Sequence, residues 1–317
     1  MIKDFCGIMS DESNVAVLLI SHGSSLPYGE EVFNEICEKF KSLSKLDAEV
    51  GYMKVSHPTL KEAVSNLKER NPGLKRIIAI PVFLANGIHT NIDIPTILGL
   101  NPKEVDPRQP DGNYPKGHYL YGLEDIDFDG DLELLDAIGP NPKLLKIINN
   151  RISSGLKESK LDDDSKTGVL LVSHGSRLNY NYEFISNLFN QFKEQTEYPC
   201  DFGFMELVEP NIPSSINNLT KNNDIDRLVV VPVFIAPGVH TTRDIPTILS
   251  LIDGDESEHH HHHHHDGEGH SHSHSHSHSH GHGDEKVEFD GEILYPDPIG
   301  SDDILIEILW DKVKEVL

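Results

Sequence analysis

The chain has 317 residues, enough for two domains of ordinary size, and 37% of them are hydrophobic even though a long polar stretch dilutes that figure. Its formal net charge of −25 argues against nucleic acid and against anionic membrane surfaces as partners, since both need a basic face. The cysteines Cys6, Cys37 and Cys200 are scattered and odd in number, which fits a reducing compartment.

From the start, MIKDFCGIMSDESN lacks the apolar core of a signal peptide, and no run reaches the roughly 18 apolar residues of a membrane span. The chain therefore reads as cytoplasmic. Val15–Ser21 is a short apolar run closed by His22-Gly23-Ser24, the pattern of a buried parallel strand feeding a loop. Phe33, Ile36, Phe40 and Leu43 then recur at helical spacing. Glu49–Val55 is a second strand, Leu60 to Leu67 a second helix ended near Asn71-Pro72-Gly73, and Arg76–Phe83 a third strand. Asp93 is placed to cap the helix that follows, with Pro95 in its first turn.

The order then repeats. Strands are expected at Val169–Ser173, Asp201–Leu207 and Arg227–Phe234, helices around Ile185–Phe192 and Ile212–Asn222, and a cap at Asp244. VLLISHGS from Val17 returns as VLLVSHGS from Val169, and RIIAIPVFLANGIHTNIDIPTIL from Arg76 as RLVVVPVFIAPGVHTTRDIPTIL from Arg227. His22 thus recurs as His174 and His89 as His240, in register to within one residue, which marks an internal duplication. FDGDLELLDAIG from Phe128 matches FDGEILYPDPIG from Phe289, so each copy ends in a fourth strand and a last helix.

Alternating strand and helix predicts two α/β domains, each a mostly parallel four-stranded sheet flanked by helices. We place them at 1–158 and 168–317, joined by a linker at 159–167 and paired as an internal pseudo-dimer. Residues 101–127 form a Pro/Gly-rich insert in the first copy. The second carries an insert at 253–286 with seven consecutive histidines from His259 and alternating His-Ser from His270. Having no apolar side chains, the His-rich stretch reads as disordered, and its dense imidazoles suit capture of divalent metal better than an inert loop or a purification tag.

Ligands of open α/β sheets sit beyond the carboxyl ends of the strands, where His174 and His240, and likewise His22 and His89, fall. A lone loop histidine is usually structural; recurrence of both positions in both copies favours a site. Glu206 ends the second strand of the second copy and Glu209 sits in the loop after it; they could supply a third ligand, a proton acceptor or only a solvated strand end. The first copy has Lys54 and His57 there. Arg177 and Arg243 give the second copy a basic edge suited to carboxylates, which the first copy lacks. No GxSxG accompanies the HGS turns, which argues against a serine hydrolase, and no GxxxxGK[ST] loop points to ATP.

The HGSR turn, FMELVEP, PVFIAPGVHTTRDIP and YPDPIGSDD together resemble the sirohydrochlorin chelatase family, the small class II chelatases that insert cobalt or nickel into sirohydrochlorin. The likeness spans Gly168–Leu317 and, more weakly, Val15–Ile152, as though two short archaeal-type units were fused. It implies an ATP-independent lyase of cobalamin or coenzyme F430 biosynthesis. Sirohydrochlorin and Co²⁺ or Ni²⁺ would be its substrates, with no organic cofactor. It implies metal binding by His174, His240, His22 and His89, and proton transfer by His174, Glu206 and His22. It further implies substrate contacts from Glu209, from Ile235, Ala236, Pro237, Gly238, Val239 and His240, and from Leu84, Ala85, Asn86, Gly87, Ile88 and His89; Arg177 and Arg243 are suited to the substrate's carboxylates. Lys54 and His57 depart from the acidic pattern. Two other readings stay open: a His-rich nickel or cobalt store or metallochaperone on a chelatase fold, and an iron-inserting enzyme.

Overall fold

A computed structural model describes residues 14–24, 27–252 and 285–317. The His-rich stretch and Ser25 lie outside the described residues. In the first half, β1 (Val15–Ser21), α1 (Pro27–Ser44), β2 (Asp47–Tyr52), α2 (Leu60–Arg70), β3 (Arg76–Pro81), α3 (Ile94–Ile97), β4 (Asp131–Leu134) and α4 (Leu144–Lys157) follow in order. The second half repeats them as β5 (Thr167–Ser173), α5 (Asn179–Lys193), β6 (Cys200–Phe204), α6 (Ile212–Asn222), β7 (Arg227–Pro232), α7 (Ile245–Ile248), β8 (Glu292–Leu294) and α8 (Asp303–Lys314). Both sheets are parallel and share one topology, β2-β1-β3-β4 and β6-β5-β7-β8. The two central strands of each sheet thus run side by side, with their carboxyl ends at one edge.

Burial on both faces explains why the central strands read as continuous apolar runs. Ala16, Leu18 and Ile20 face α2, with Leu60, Val64 and Leu67 behind them. Val17 and Leu19 point the other way, into a core that takes side chains from both halves. Leu170 and Val172 repeat the first pattern against Ile212 and Ile216 of α6, while Val169 and Leu171 join the common core. Sequence-local signals set the helix ends. Thr59 and Glu62 cap α2 reciprocally, and Asn211 Oδ1 accepts the Ser214 N–H at 2.8 Å to open α6.

The last helix of each half packs across the boundary. α4 lies against β7 and α5, and α8 lies against α1 and β3. An added methyl at Gly155 of α4 would touch Val229 and Leu294 of the second sheet, which shows how closely that helix sits. Phe40 of α1 meets Trp310 of α8 edge to face, with centroids 6.1 Å apart. Polar contacts follow the same exchange. Arg151 donates to the carbonyls of Pro298 and Ile299, and Lys39 to that of Ser301. Each half is thus closed by a helix encoded in the other, so the unit of packing differs from the unit of repetition.

Three expectations need correction. The helix that was to begin at Asp93 begins a turn earlier, in a π-turn over His89–Asp93, and Asp93 has helical torsions and caps nothing. The same holds for His240–Asp244. The third is β6, which stops at Phe204, leaving Glu206 in the loop beyond it. Among the described residues no helix is long and apolar enough to cross a membrane.

Candidate metal and macrocycle site

Each copy brings its two histidines together at the carboxyl edge of its sheet. The rings of His174 and His240 pack edge to face with centroids 4.8 Å apart; those of His22 and His89 lie 5.0 Å apart. Nitrogens sharing one ion at about 2.1 Å each lie within about 4 Å of one another, a separation that rings at this distance can supply.

Hydrogen bonds decide which nitrogen is available. His174 Nδ1 lies 2.9 Å from the carbonyl of Gly175, and His22 Nδ1 lies 2.9 Å from that of Gly23. A carbonyl only accepts, so Nδ1 carries the proton and Nε2 keeps its lone pair. His240 Nδ1 donates to Asp244 Oδ2 at 2.8 Å and His89 Nδ1 to Asp93 Oδ2 at 2.5 Å. This is the carboxylate–histidine pairing that fixes ring orientation at metal sites and raises ligand basicity. All four imidazoles therefore present Nε2. Burial pushes the His174 imidazole below its ordinary range, and His22 down to about 4, with Lys54 and His89 adding to the effect there. Both are neutral near pH 7.

Backbone geometry sets the third residue of each site. Gly175 turns with φ +94, and a methyl added there would sit 1.9 Å from the Glu206 carbonyl. The Glu206 N–H bonds to the His174 carbonyl at 3.1 Å, and the Val208 N–H folds back onto the Glu206 carbonyl at 2.9 Å. That last bond closes a γ-turn at Leu207, whose φ is +71. The first copy repeats it with Gly23, Lys54, Val55 (also φ +71) and Ser56. Val55 is β-branched and strained at such a φ, and the same left-handed φ recurs at Leu207 beside the other histidine pair. The result places Glu206 Oε1 3.6 Å from His174 Nε2. Among the described residues no cluster of three or more His, Cys, Asp or Glu side chains could enclose a metal, so each site offers two imidazoles and remains open.

The stretches Leu84–His89 and Ile235–His240 are half-buried. Leu84, Ala85, Ile235 and Ala236 pack on the common core. The duplicated Ile-Gly pairs hold them: Ile138 and Gly139 donate to Phe83 and Leu84, and Ile299 and Gly300 to Phe234 and Ile235. Asn86 Oδ1 accepts from Ala137 N–H. Gly87 and Gly238 N–H bond to the hydroxyls of Thr90 and Thr241, closing the turn ahead of each second histidine; Pro237, Ile88 and Val239 complete these loops.

The remaining expected residues fare differently. Glu209 accepts hydrogen bonds from Asn211 and so braces the start of α6. Arg243 turns onto Asp244 with its side chain 64% exposed, and Arg177 is exposed. His57 pairs with Glu62 at the start of α2.

Sequence reasoning missed Asp93 and Asp244 as partners of the histidines. The signal was there, since His and Asp four apart share one helical face. It also missed the part that the 101–127 insert plays in the site. Arg108 and Tyr119 from this insert both bind Asp93, and Arg108 also binds Asp106. Burial pushes the Asp93 carboxyl up, but the bonds from His89, Arg108 and Tyr119 outweigh it and hold it below the usual carboxylate range. Glu104 of the insert accepts from Asn91, two residues past His89, and from Tyr180 in the first turn of α5. That carboxylate links the His89 turn of one half to the helix that follows His174 in the other.

Comparison with known proteins fits this duplicated geometry. The family model CbiX matches twice, over residues 16–155 and 168–316. The chain belongs to the CbiX family. Single-unit relatives align with half of it. The sirohydrochlorin cobaltochelatase of Methanothermobacter thermautotrophicus is 42% identical over 160 residues, covering 50% of this chain and 99% of the relative. That of Methanocaldococcus jannaschii is 46% identical over 145 residues, covering 45% and 95%. Among solved structures, SirB from Bacillus subtilis with Fe³⁺ superposes with a TM-score of 0.62 at 15% identity, covering 95% of both chains. A CbiX described as the terminal enzyme of siroheme biosynthesis in denitrifying bacteria gives 0.55 at 14% identity, covering 96% and 99%. This CbiX chain thus carries the fold of two-unit proteins and sequence similarity to one-unit relatives.

Proposed function

We propose that the protein inserts a divalent metal, Co²⁺ or Ni²⁺, into sirohydrochlorin, using the His174–His240 pair and no nucleotide. The observation that carries this reading is the pair itself: two imidazoles, each oriented through Nδ1 and each offering Nε2, in an open site. Membership of the CbiX family and the names of its relatives support it.

The chemistry follows from the arrangement. M²⁺ must be held by few ligands, so that it can leave, and two pyrrolic N–H protons must go as two metal–nitrogen bonds form. Imidazole suits borderline divalent ions. His174 Nε2 has one lone pair, so it holds the metal or takes a proton, not both at once. Glu206, 3.6 Å away, is the carboxylate to which a proton from His174 can pass. Asp244 keeps His240 oriented throughout. The loops Leu84–His89 and Ile235–His240 supply apolar surface for a flat ring, and the Glu104 bridge supports one cleft facing both. Products with Co²⁺ would lead toward cobalamin and with Ni²⁺ toward coenzyme F430.

The test is the absorption spectrum of sirohydrochlorin mixed with the protein and Co²⁺ or Ni²⁺. Rapid conversion to the metallated spectrum, faster than without protein, is the expected result. Metal uptake with no acceleration would overturn the reading in favour of a metal store.

A further inference from the structure

The two histidine pairs rest on the same backbone yet face residues of opposite charge. Lys54 and Glu206 occupy equivalent places, each bonded through its N–H to the first histidine's carbonyl and each passing its own carbonyl over the glycine that follows. Glu206 adds a carboxylate to a site that already has Asp244, balanced by Arg243 alone. In the first half Asp93 and Asp106 are already matched by Arg108, and Lys54 adds a further cation. Such an ammonium disfavours a dication on His22 and His89 by direct repulsion.

Lys54 is half-buried. Its Nζ lies over the face of the Tyr119 ring, 5.3 Å from the centroid, and among the described residues it has no carboxylate or other hydrogen-bond partner. The carboxylate that most affects it is Asp93, whose oxygens are taken by His89, Arg108 and Tyr119. A partly desolvated ammonium without an anion is unfavourable, and a ring face compensates only in part. The other members of this cluster satisfy one another. What is missing is one anionic oxygen.

We infer that Lys54 binds a peripheral carboxylate of the tetrapyrrole, so that the first half grips the edge of the ring while the second half handles the metal. The inference rests on the chelatase reading and adds a division of labour to it. Glu104 joins the His89 turn to α5, the helix that follows His174, and we take the two halves' sites to share one ligand. The ligand class is a polycarboxylate macrocycle; a free divalent ion is not expected at this site.

Equilibrium binding of metal-free sirohydrochlorin to the full chain, in the presence of a chelator, tests this. Lys54→Met should weaken binding at least about tenfold, as expected for loss of a hydrogen bond to a charged group, and reduce its salt dependence. Lys54→Arg should restore most of the affinity. Lys221→Met, which removes the same charge from an exposed pair with Glu288, should leave it unchanged. In turnover the Lys54→Met loss should appear in KM, with kcat near that of the unaltered protein. Equal macrocycle affinity of the unaltered protein and Lys54→Met would overturn the inference while leaving the chelatase reading intact. No macrocycle binding by the unaltered protein would overturn both.

Discussion

Replacing Gly175 with Ala tests the way the fold aims Glu206 at His174. The new Cβ would meet the Glu206 carbonyl at 1.9 Å, against 3.4 Å or more for ordinary contact, so the two loops must part by about 1.5 Å. An L side chain at a left-handed φ costs about 1–2 kcal/mol, and breaking the 3.1 Å bond from Glu206 N–H to His174 costs about 1 kcal/mol more. We expect destabilisation of about 2–3 kcal/mol in urea unfolding. We also expect roughly a hundredfold loss in the rate of metal insertion, the scale set by misplacing a reacting group by 1 Å. Gly238→Ala is the matched control. It lies in the Ile235–His240 loop at an ordinary φ with nothing within 4 Å of its would-be Cβ, so its stability should stay within about 0.5 kcal/mol. A Gly175→Ala protein as stable and as active as the unaltered chain would refute the close-approach argument.

Asp244→Asn should weaken metal binding at the His240 site about 10–100-fold, by removing the carboxylate that orients the ring; competition with a chromophoric chelator, in a chain with its His-rich stretch 259–282 removed, would measure it. Proteolytic nicking within 160–165 should leave the two halves co-eluting in size-exclusion chromatography, because α4 and α8 are each held by the opposite half. The folded His22 imidazole titrates at about 4, below its unfolded value of 6.5, so between these pH values the unfolded chain binds more protons. Stability contributed by His22 is therefore complete above pH 6.5 and lost as pH falls toward 4, with a slope of up to about 1.4 kcal/mol per pH unit. His22→Asn should flatten the stability–pH curve in that window alone.

Much of this was legible in the chain. Val15–Ser21 and Arg227–Pro232 announce themselves because a strand buried on both faces is apolar along nearly its whole length, with only Ser21 and Arg227 polar at the ends, and the four histidines stand out because they recur. The exchange of α4 and α8 was not legible. Ile147, Ile148 and Ile152 show that α4 is buried, but a stripe of apolar residues does not name the sheet it covers. Asp93 and Asp244 were misread for a related reason. Asp before Ile-Pro looks like a cap, and only the π-turn that starts the helix at the histidine reveals the carboxylate as its partner. Lys54 was visible as a departure from the acidic residue of the second copy, but its lack of an anion depends on Tyr119 and Arg108, which arrive from an insert with no motif.

We place metal insertion on the pair in the second half. Initial rates of Co²⁺ insertion into sirohydrochlorin by His174→Ala and His22→Ala, measured side by side with the unaltered chain, test it most directly. At least about a hundredfold loss is expected for His174→Ala and a much smaller one for His22→Ala; full activity in His174→Ala would contradict that assignment.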